Sequence, residues 1–152
     1  MAGDSTGMPD IRRVGLIGLG KMGQPMARLL CQRGFAVAGF DVDEGAMEAV
    51  AAFGVQTALS PQAVAAASDL VIIAVGFDAE AEAVMFGERG VLAGARDGSV
   101  IAIASTVAPH TMQQIVARLP ATPAITARPG GGSWWWAWSA KWVTRIRCGR
   151  PM

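Results

Sequence analysis

The chain has 152 residues, 52% of them hydrophobic, 16% charged and 7% aromatic, with a formal net charge of +1. This composition is too apolar for a disordered chain, and the length is too short for two domains of ordinary size. The apolar residues come in short runs, mostly Ala and Val, below the roughly 20 residues that a bilayer span needs, and the opening MAGDSTGMPDIRR lacks the basic-then-apolar order of a secretory signal. A membrane protein is therefore not expected, and the chain reads as cytoplasmic. Cys31 and Cys148 lie far apart and His110 is the lone histidine, so neither a disulfide scaffold nor a metal site is expected. The charge is unevenly placed. Eight of the 13 basic and all 12 acidic residues fall in residues 1–120, whereas residues 121–152 hold five basic residues, no acid and all five tryptophans.

After a polar leader over residues 1–10, the run 14–18 is apolar and ends in glycine, the pattern of a strand buried on both faces. Residues 21–33 then take helical spacing, with Met22, Met26, Leu29 and Leu30 on one side and Gly34 as the stop. Residues 35–40 form a second apolar run closed by Asp41, followed by an Ala-rich helix over 44–52. Residues 55–56 make a brief strand. Ser60-Pro61 reads as an N-cap with proline at the first helical position, and 70–75 is the most strongly apolar run. A helix over 78–86, a strand over 100–103 and a helix over 109–119 complete the series. Alternation of strands and helices predicts an α/β fold, a doubly wound parallel sheet of Rossmann type over residues 11–127, with an irregular Trp/Arg-rich tail over 128–152.

Gly18-Leu19-Gly20-Lys21-Met22-Gly23 matches G-x-G-x-x-G. The hexamer alone is common, and its context gives it weight: it follows a predicted strand and opens a predicted helix, and Asp41 ends the second strand 21 residues after Gly20. Gly18 permits a tight turn, Gly20 lets backbone approach a pyrophosphate, and Gly23 lets the helix pack closely on the strand. Free N–H groups at the helix start then face the anion. Asp41 would accept hydrogen bonds from the adenosine ribose and repel a 2′-phosphate, so NAD is favoured over NADP. Asp78, Glu80 and Glu82 read as a solvated helix face, with Asp78 placed to favour the helix N-terminus. Met22 and Met26 read as core packing, Cys31 as a buried small residue and His110 as a solvent-facing first-turn residue.

The stretch Val14-Gly15-Leu16-Ile17-Gly18-Leu19-Gly20-Lys21-Met22-Gly23-Gln24-Pro25-Met26-Ala27 resembles the GLGxMGxxMA segment of the beta-hydroxyacid dehydrogenase family, which includes 3-hydroxyisobutyrate and 6-phosphogluconate dehydrogenases. Ser105-Thr106-Val107-Ala108-Pro109 is similar to the family's Ser-Thr-x-x-Pro segment, and the resemblance implies that Thr106 lies near the nicotinamide. Val75-Gly76 matches the place of the family's Leu-Pro or Val-Pro beside the cofactor, with glycine for proline, which implies a looser loop here. The implied cofactor site is Gly18, Leu19, Gly20, Lys21, Met22, Gly23, Asp41, Val75, Gly76 and Thr106. The implied reaction is hydride transfer between a nicotinamide and a small beta-hydroxy acid, with a lysine as general acid/base. That lysine belongs to a G-x-G-x-x-x-K-x-x-N segment in a second, helical domain. No such segment occurs in these residues and Lys141 does not match it, so no catalytic residue is assigned and the helical domain, which also carries the family's dimer contacts, is expected to be absent. The family's substrate loop is not recognisable in Thr126-Ala127-Arg128-Pro129-Gly130-Gly131-Gly132.

The tail is read as out-of-frame translation. Three consecutive tryptophans require UGGUGGUGG, which gives glycine codons when shifted by one base and valine codons when shifted by two, residues that suit the family's loop. The rival reading, a Trp/basic segment for membrane surfaces or nucleic acid, has few basic residues and no amphipathic spacing behind it. The expected function is that of an NAD(P)-binding oxidoreductase domain, and the competing one is a dinucleotide-binding fragment without turnover.

Overall fold

The computed structural model describes residues 10–105 and 107–119, and the backbone of residues 142–145. The elements run β1 (Arg13–Ile17), α1 (Gly23–Gln32), β2 (Ala36–Phe40), α2 (Glu44–Ala51), β3 (Gln56–Thr57), α3 (Pro61–Ala66), β4 (Leu70–Ile73), α4 (Asp78–Phe86), α5 (Val91–Gly94), β5 (Val100–Ile103), α6 (Pro109–Arg118) and β6 (Trp142–Arg145). The strands form one sheet in the order β3-β2-β1-β4-β5-β6. β1 to β5 are parallel, as the alternation predicts, and β6 runs antiparallel to β5.

Local chemistry accounts for several of these boundaries. Ser60 caps α3 by accepting a hydrogen bond from the Ala63 N–H at 3.2 Å, with Pro61 in the first turn. Asp43 caps α2 through the Gly45 N–H at 2.9 Å. α5 was not expected from the pattern, because four residues, Val-Leu-Ala-Gly, are too few to show a helical period. β6 corrects the reading of 128–152 as irregular throughout. Trp, Val and Thr are favoured strand residues, and their pairing covers an edge of β5 that would otherwise leave a row of backbone N–H and C=O groups open. The leader over 1–9, the Trp cluster at 134–138, Lys141 and the 126–132 segment lie outside the described residues.

The sheet separates two apolar layers. Leu16 packs with Leu19, Ala27, Val37 and Val50 beneath α1 and α2. Its neighbour Ile17 points the other way, into a cluster with Val64, Ile73, Met85, Ile101 and Ile115 beneath α3 to α6. Helices on both faces bury β1, β4 and β5 on both sides, the reason these strands read as continuous apolar runs. On α1 the buried residues are Gly23 and Ala27, whereas Met22 and Leu29 are 70% and 53% exposed. Of the expected face, Met26 and Leu30 pack against this layer, whereas Met22 and Leu29 do not, because the helix lies so close to the sheet at Gly23 and Ala27 that small residues fill the tightest contact. Cys31 is half-buried and packs beside the same layer, and burial pushes its thiol pKa up.

Register places the site. Ile17 is paired with Phe40 on one side and Ile73 on the other, and Ile73 with Ile103, so the four turns that follow these strands emerge at one edge of the sheet. β1 and β4 lie side by side although β2 and β3 intervene in sequence, which makes the gap above them the point where strand order reverses. At the opposite edge, Asp69 accepts the Arg12 and Arg13 N–H groups at 3.2 and 3.0 Å and the Arg13 guanidinium at 2.6 Å, with Arg96 at 3.4 Å. This cluster ties the start of β1 to the end of the α3–β4 turn, away from the strand-reversal crevice.

Candidate functional site

The turn between β1 and α1 is built by its glycines. Gly18 has φ +93°, and a Cβ there would collide with the Ala74 carbonyl. A Cβ on Gly23 would collide with the Gly18 carbonyl, so the first helical residue must be glycine for α1 to start this close to β1. Gly20 is different: a Cβ there would meet nothing within 4 Å. The fold does not require glycine at that position, and the space beside it is open to a ligand.

Among the described residues, none accepts a hydrogen bond from the N–H of Gly20, Lys21 or Met22. Gly20 borders the crevice, and the three donors stand at the N-terminus of the ten-residue helix α1, which the macrodipole makes favourable for an anion. Lys21 is exposed. Leu19 has a buried side chain in the core, and its N–H donates to Asp41 Oδ2 at 2.6 Å. Asp41 also accepts the Asp43 N–H on Oδ1 at 2.9 Å. A carboxylate has about four lone-pair sites, so Asp41 is fixed at the end of β2 with acceptor capacity left for a diol.

Across the strand reversal, Val75 and Gly76 form the turn after β4. Val75 donates its N–H to Ser105 Oγ at 2.8 Å. Gly76 and Phe77 donate theirs to Glu80 Oε2 at 3.0 and 3.2 Å. The expected looser loop is corrected by these bonds, since glycine supplies an N–H that proline lacks and Glu80 fastens it. The solvated-face reading of α4 holds for the exposed Glu80, and Asp78 lies in the first turn as expected, but Asp78 is half-buried. Asp78 accepts from Thr111 Oγ1 at 2.7 Å and from the Ala108 N–H at 3.3 Å, and Glu82 lies 3.7 Å from Arg118. His110 is solvent-facing in the first turn of α6, as expected, with Nε2 3.2 Å from Thr111 Oγ1. Thr106 lies outside the described residues.

Between the two turns is a largely apolar cleft of about 290 Å³, walled by Gly18, Gly20, Phe40, Asp41, Val42, Val75, Gly76, Glu80, Ala83 and Val84. It brings Gly18, Gly20, Asp41, Val75 and Gly76 together. Lys21 and Leu19 line instead a larger groove of about 850 Å³ between α1 and α2. Three of the five large apolar side chains exposed among the described residues, Met22, Val42 and Phe77, follow directly on the loop turns of this edge. Val42, Ala83 and Val84 were missed from sequence. Val42 could have been found as the residue next to Asp41, but nothing in the α4 sequence distinguishes the side that faces the cleft. Among the described residues no group of three His, Cys, Asp or Glu side chains could hold a metal ion, and no helix is long and apolar enough to cross a membrane.

Comparison with known proteins agrees with this geometry. Residues 13–125 match the family model described as the NAD binding domain of 6-phosphogluconate dehydrogenase. The chain is 42% identical over 99 residues to 2-(hydroxymethyl)glutarate dehydrogenase of Eubacterium barkeri, covering 65% of this chain and 33% of that protein. It is 33% identical over 102 residues to mitochondrial 3-hydroxyisobutyrate dehydrogenase of Mus musculus, covering 67% and 30%. The crystal structure of 3-hydroxyisobutyrate dehydrogenase from Salmonella typhimurium superposes with a TM-score of 0.63 at 31% identity, covering 69% of this chain and 36% of that one. The chain thus spans about a third of the length of these relatives. The cofactor class is a nicotinamide dinucleotide, and the chain belongs to the beta-hydroxyacid dehydrogenase family as a nucleotide-binding domain like that of 3-hydroxyisobutyrate dehydrogenase.

Proposed function

We propose that this chain binds NAD in the crevice above β1 and β4 and serves as the cofactor domain of an oxidoreductase that moves a hydride between NAD and a small beta-hydroxy acid. The observation that carries the proposal is the pairing of three unaccepted N–H groups, Gly20 to Met22, with a fixed carboxylate, Asp41, across an open Gly20. The N–H groups would hold the pyrophosphate. Asp41 would accept the ribose hydroxyls, and its charge would oppose a 2′-phosphate, which favours NAD over NADP. Val42 and Val84 would cover the adenine with apolar surface, and Val75 stands on the β4 side of the cleft. Gly18 and Gly23 shape the turn, and Lys21 stands exposed beside the anion position. The bound nicotinamide would supply the hydride acceptor. Thr106 remains proposed for the nicotinamide side on the motif alone.

A second reading, dinucleotide binding without turnover, applies to these 152 residues tested by themselves, since they span about a third of the relatives' length. A hydroxy-acid substrate and subunit partners are then expected only where a helical domain completes the site. Titration calorimetry with NAD and NADP tests the binding, and an assay with 3-hydroxyisobutyrate, threonate or glycerate tests the turnover. Binding of NAD more tightly than NADP, without turnover, is the result expected of the 152-residue chain; turnover would refute the second reading, and failure to bind either nucleotide would refute both.

A further inference from the structure

The turns after β4 and β5 are fastened to each other at two points. Ser105 Oγ accepts the Val75 N–H at 2.8 Å and lies 3.4 Å from the Ile73 carbonyl, to which it donates. Three residues into the other turn, Asp78 accepts the Thr111 hydroxyl at 2.7 Å and the Ala108 N–H at 3.3 Å. The first fastening holds the end of β5 and the second holds the first turn of α6. Asp78 is half-buried and Thr111 buried, so the bonds are shielded from water and worth more than surface ones.

The place of these fastenings follows from the topology. Asp41 sits at the end of β2, on one side of the strand reversal, and the anion donors sit above β1. A dinucleotide whose adenosine ribose meets Asp41 and whose pyrophosphate meets Gly20–Met22 must lay its second nucleoside in the remaining direction, over the ends of β4 and β5. That is where Ser105 and Asp78 lock the backbone. From this, and resting on the proposed dinucleotide site, we infer that Asp78 and Ser105 are positioning residues that set the wall of the nicotinamide-nucleoside subsite before the cofactor arrives. They act through Val75, Ala108 and Thr111 and leave the adenosine half untouched.

The test compares NADH with ADP, which carries the adenosine and both phosphates without the second nucleoside, by titration calorimetry on the full chain. Asp78→Ala is expected to weaken NADH about tenfold, the scale of one lost charge-assisted bond, and Ser105→Ala about fivefold, the scale of a neutral one, while ADP affinity stays within about twofold. Asp78→Asn, which keeps an acceptor for Thr111, is expected to restore most of the NADH affinity. Thr111→Val, nearly isosteric, carries the test if Asp78→Ala does not fold. Equal weakening of both ligands, or of neither, would overturn the inference while leaving the dinucleotide site standing. A wild-type chain that binds neither ligand would overturn both.

Discussion

Asp41 and Asp69 are both carboxylates that accept two backbone N–H groups, yet they serve opposite edges of the sheet. Asp69 is also paired with the Arg13 guanidinium, and this hydrogen bond above all holds its pKa down to about 2, well below the ordinary carboxylate range. Because the folded-state value is the lower one, its stabilisation is complete above about pH 4 and is lost as pH falls from about 4 towards about 2. Asp69→Asn should therefore lower Tm by about 4 °C at neutral pH and converge with the wild type near pH 2, in thermal melts followed by circular dichroism. Asp41 has no such cation beside it among the described ion pairs. Asp41→Ala should weaken NAD about tenfold and narrow its advantage over NADP, because it removes both the ribose acceptor and the charge that opposes a phosphate. An unchanged preference in calorimetry would show that the acid is misassigned. Asp41 was legible in the sequence by its distance from the glycine loop. Asp78 was not, because its partners Ala108 and Thr111 lie 30 and 33 residues away, and only the fold brings them together.

At the scale of the element, the β1–α1 turn separates two roles of glycine that the motif alone merges. Gly23→Ala would gain up to about 1 kcal/mol of helix propensity but must relieve a backbone collision with Gly18, an overpacking cost of about 1–3 kcal/mol, so the net effect is expected to be destabilising. Gly20→Ala meets no neighbour and should leave Tm within about 2 °C of the wild type. It should nevertheless abolish most of the thermal shift that saturating NADH produces, since the added methyl stands where the pyrophosphate approaches. Melts of both variants with and without NADH check the contrast. β1, β2, β4 and β5 were legible because each is an apolar run bounded by glycine, acid or cap, whereas β3 is two exposed polar residues, Gln56 and Thr57, and showed only as a brief stretch over 55–56. The buried side of α1 was not: its spacing shows which residues are apolar, while the closeness of the helix decides that Gly23 and Ala27, and not Met22, lie beneath it. β6 was hidden for another reason, since its strand character depends on the edge that β5 offers.

For the whole molecule, a sheet whose strand ends are aligned by the Ile17, Phe40, Ile73 and Ile103 register gathers four turns into one crevice. The motif made the first two of those turns recognisable. The apolar walls of Val42, Ala83 and Val84 came only with the folded cleft. The chain spans about a third of its relatives, and the exposed Met22, Val42 and Phe77 all belong to the edge that carries the crevice. What occupies that crevice decides whether it is a dinucleotide site. An amide NMR titration of the isotopically labelled chain with NAD reads this directly. The predicted result is a set of saturable shifts concentrated at Gly20, Lys21, Met22, Asp41, Val42, Val75 and Gly76, with Asp69 and its neighbours at the opposite edge unmoved. Shifts that avoid Gly20 to Met22, or no shifts at millimolar NAD, would contradict the dinucleotide site.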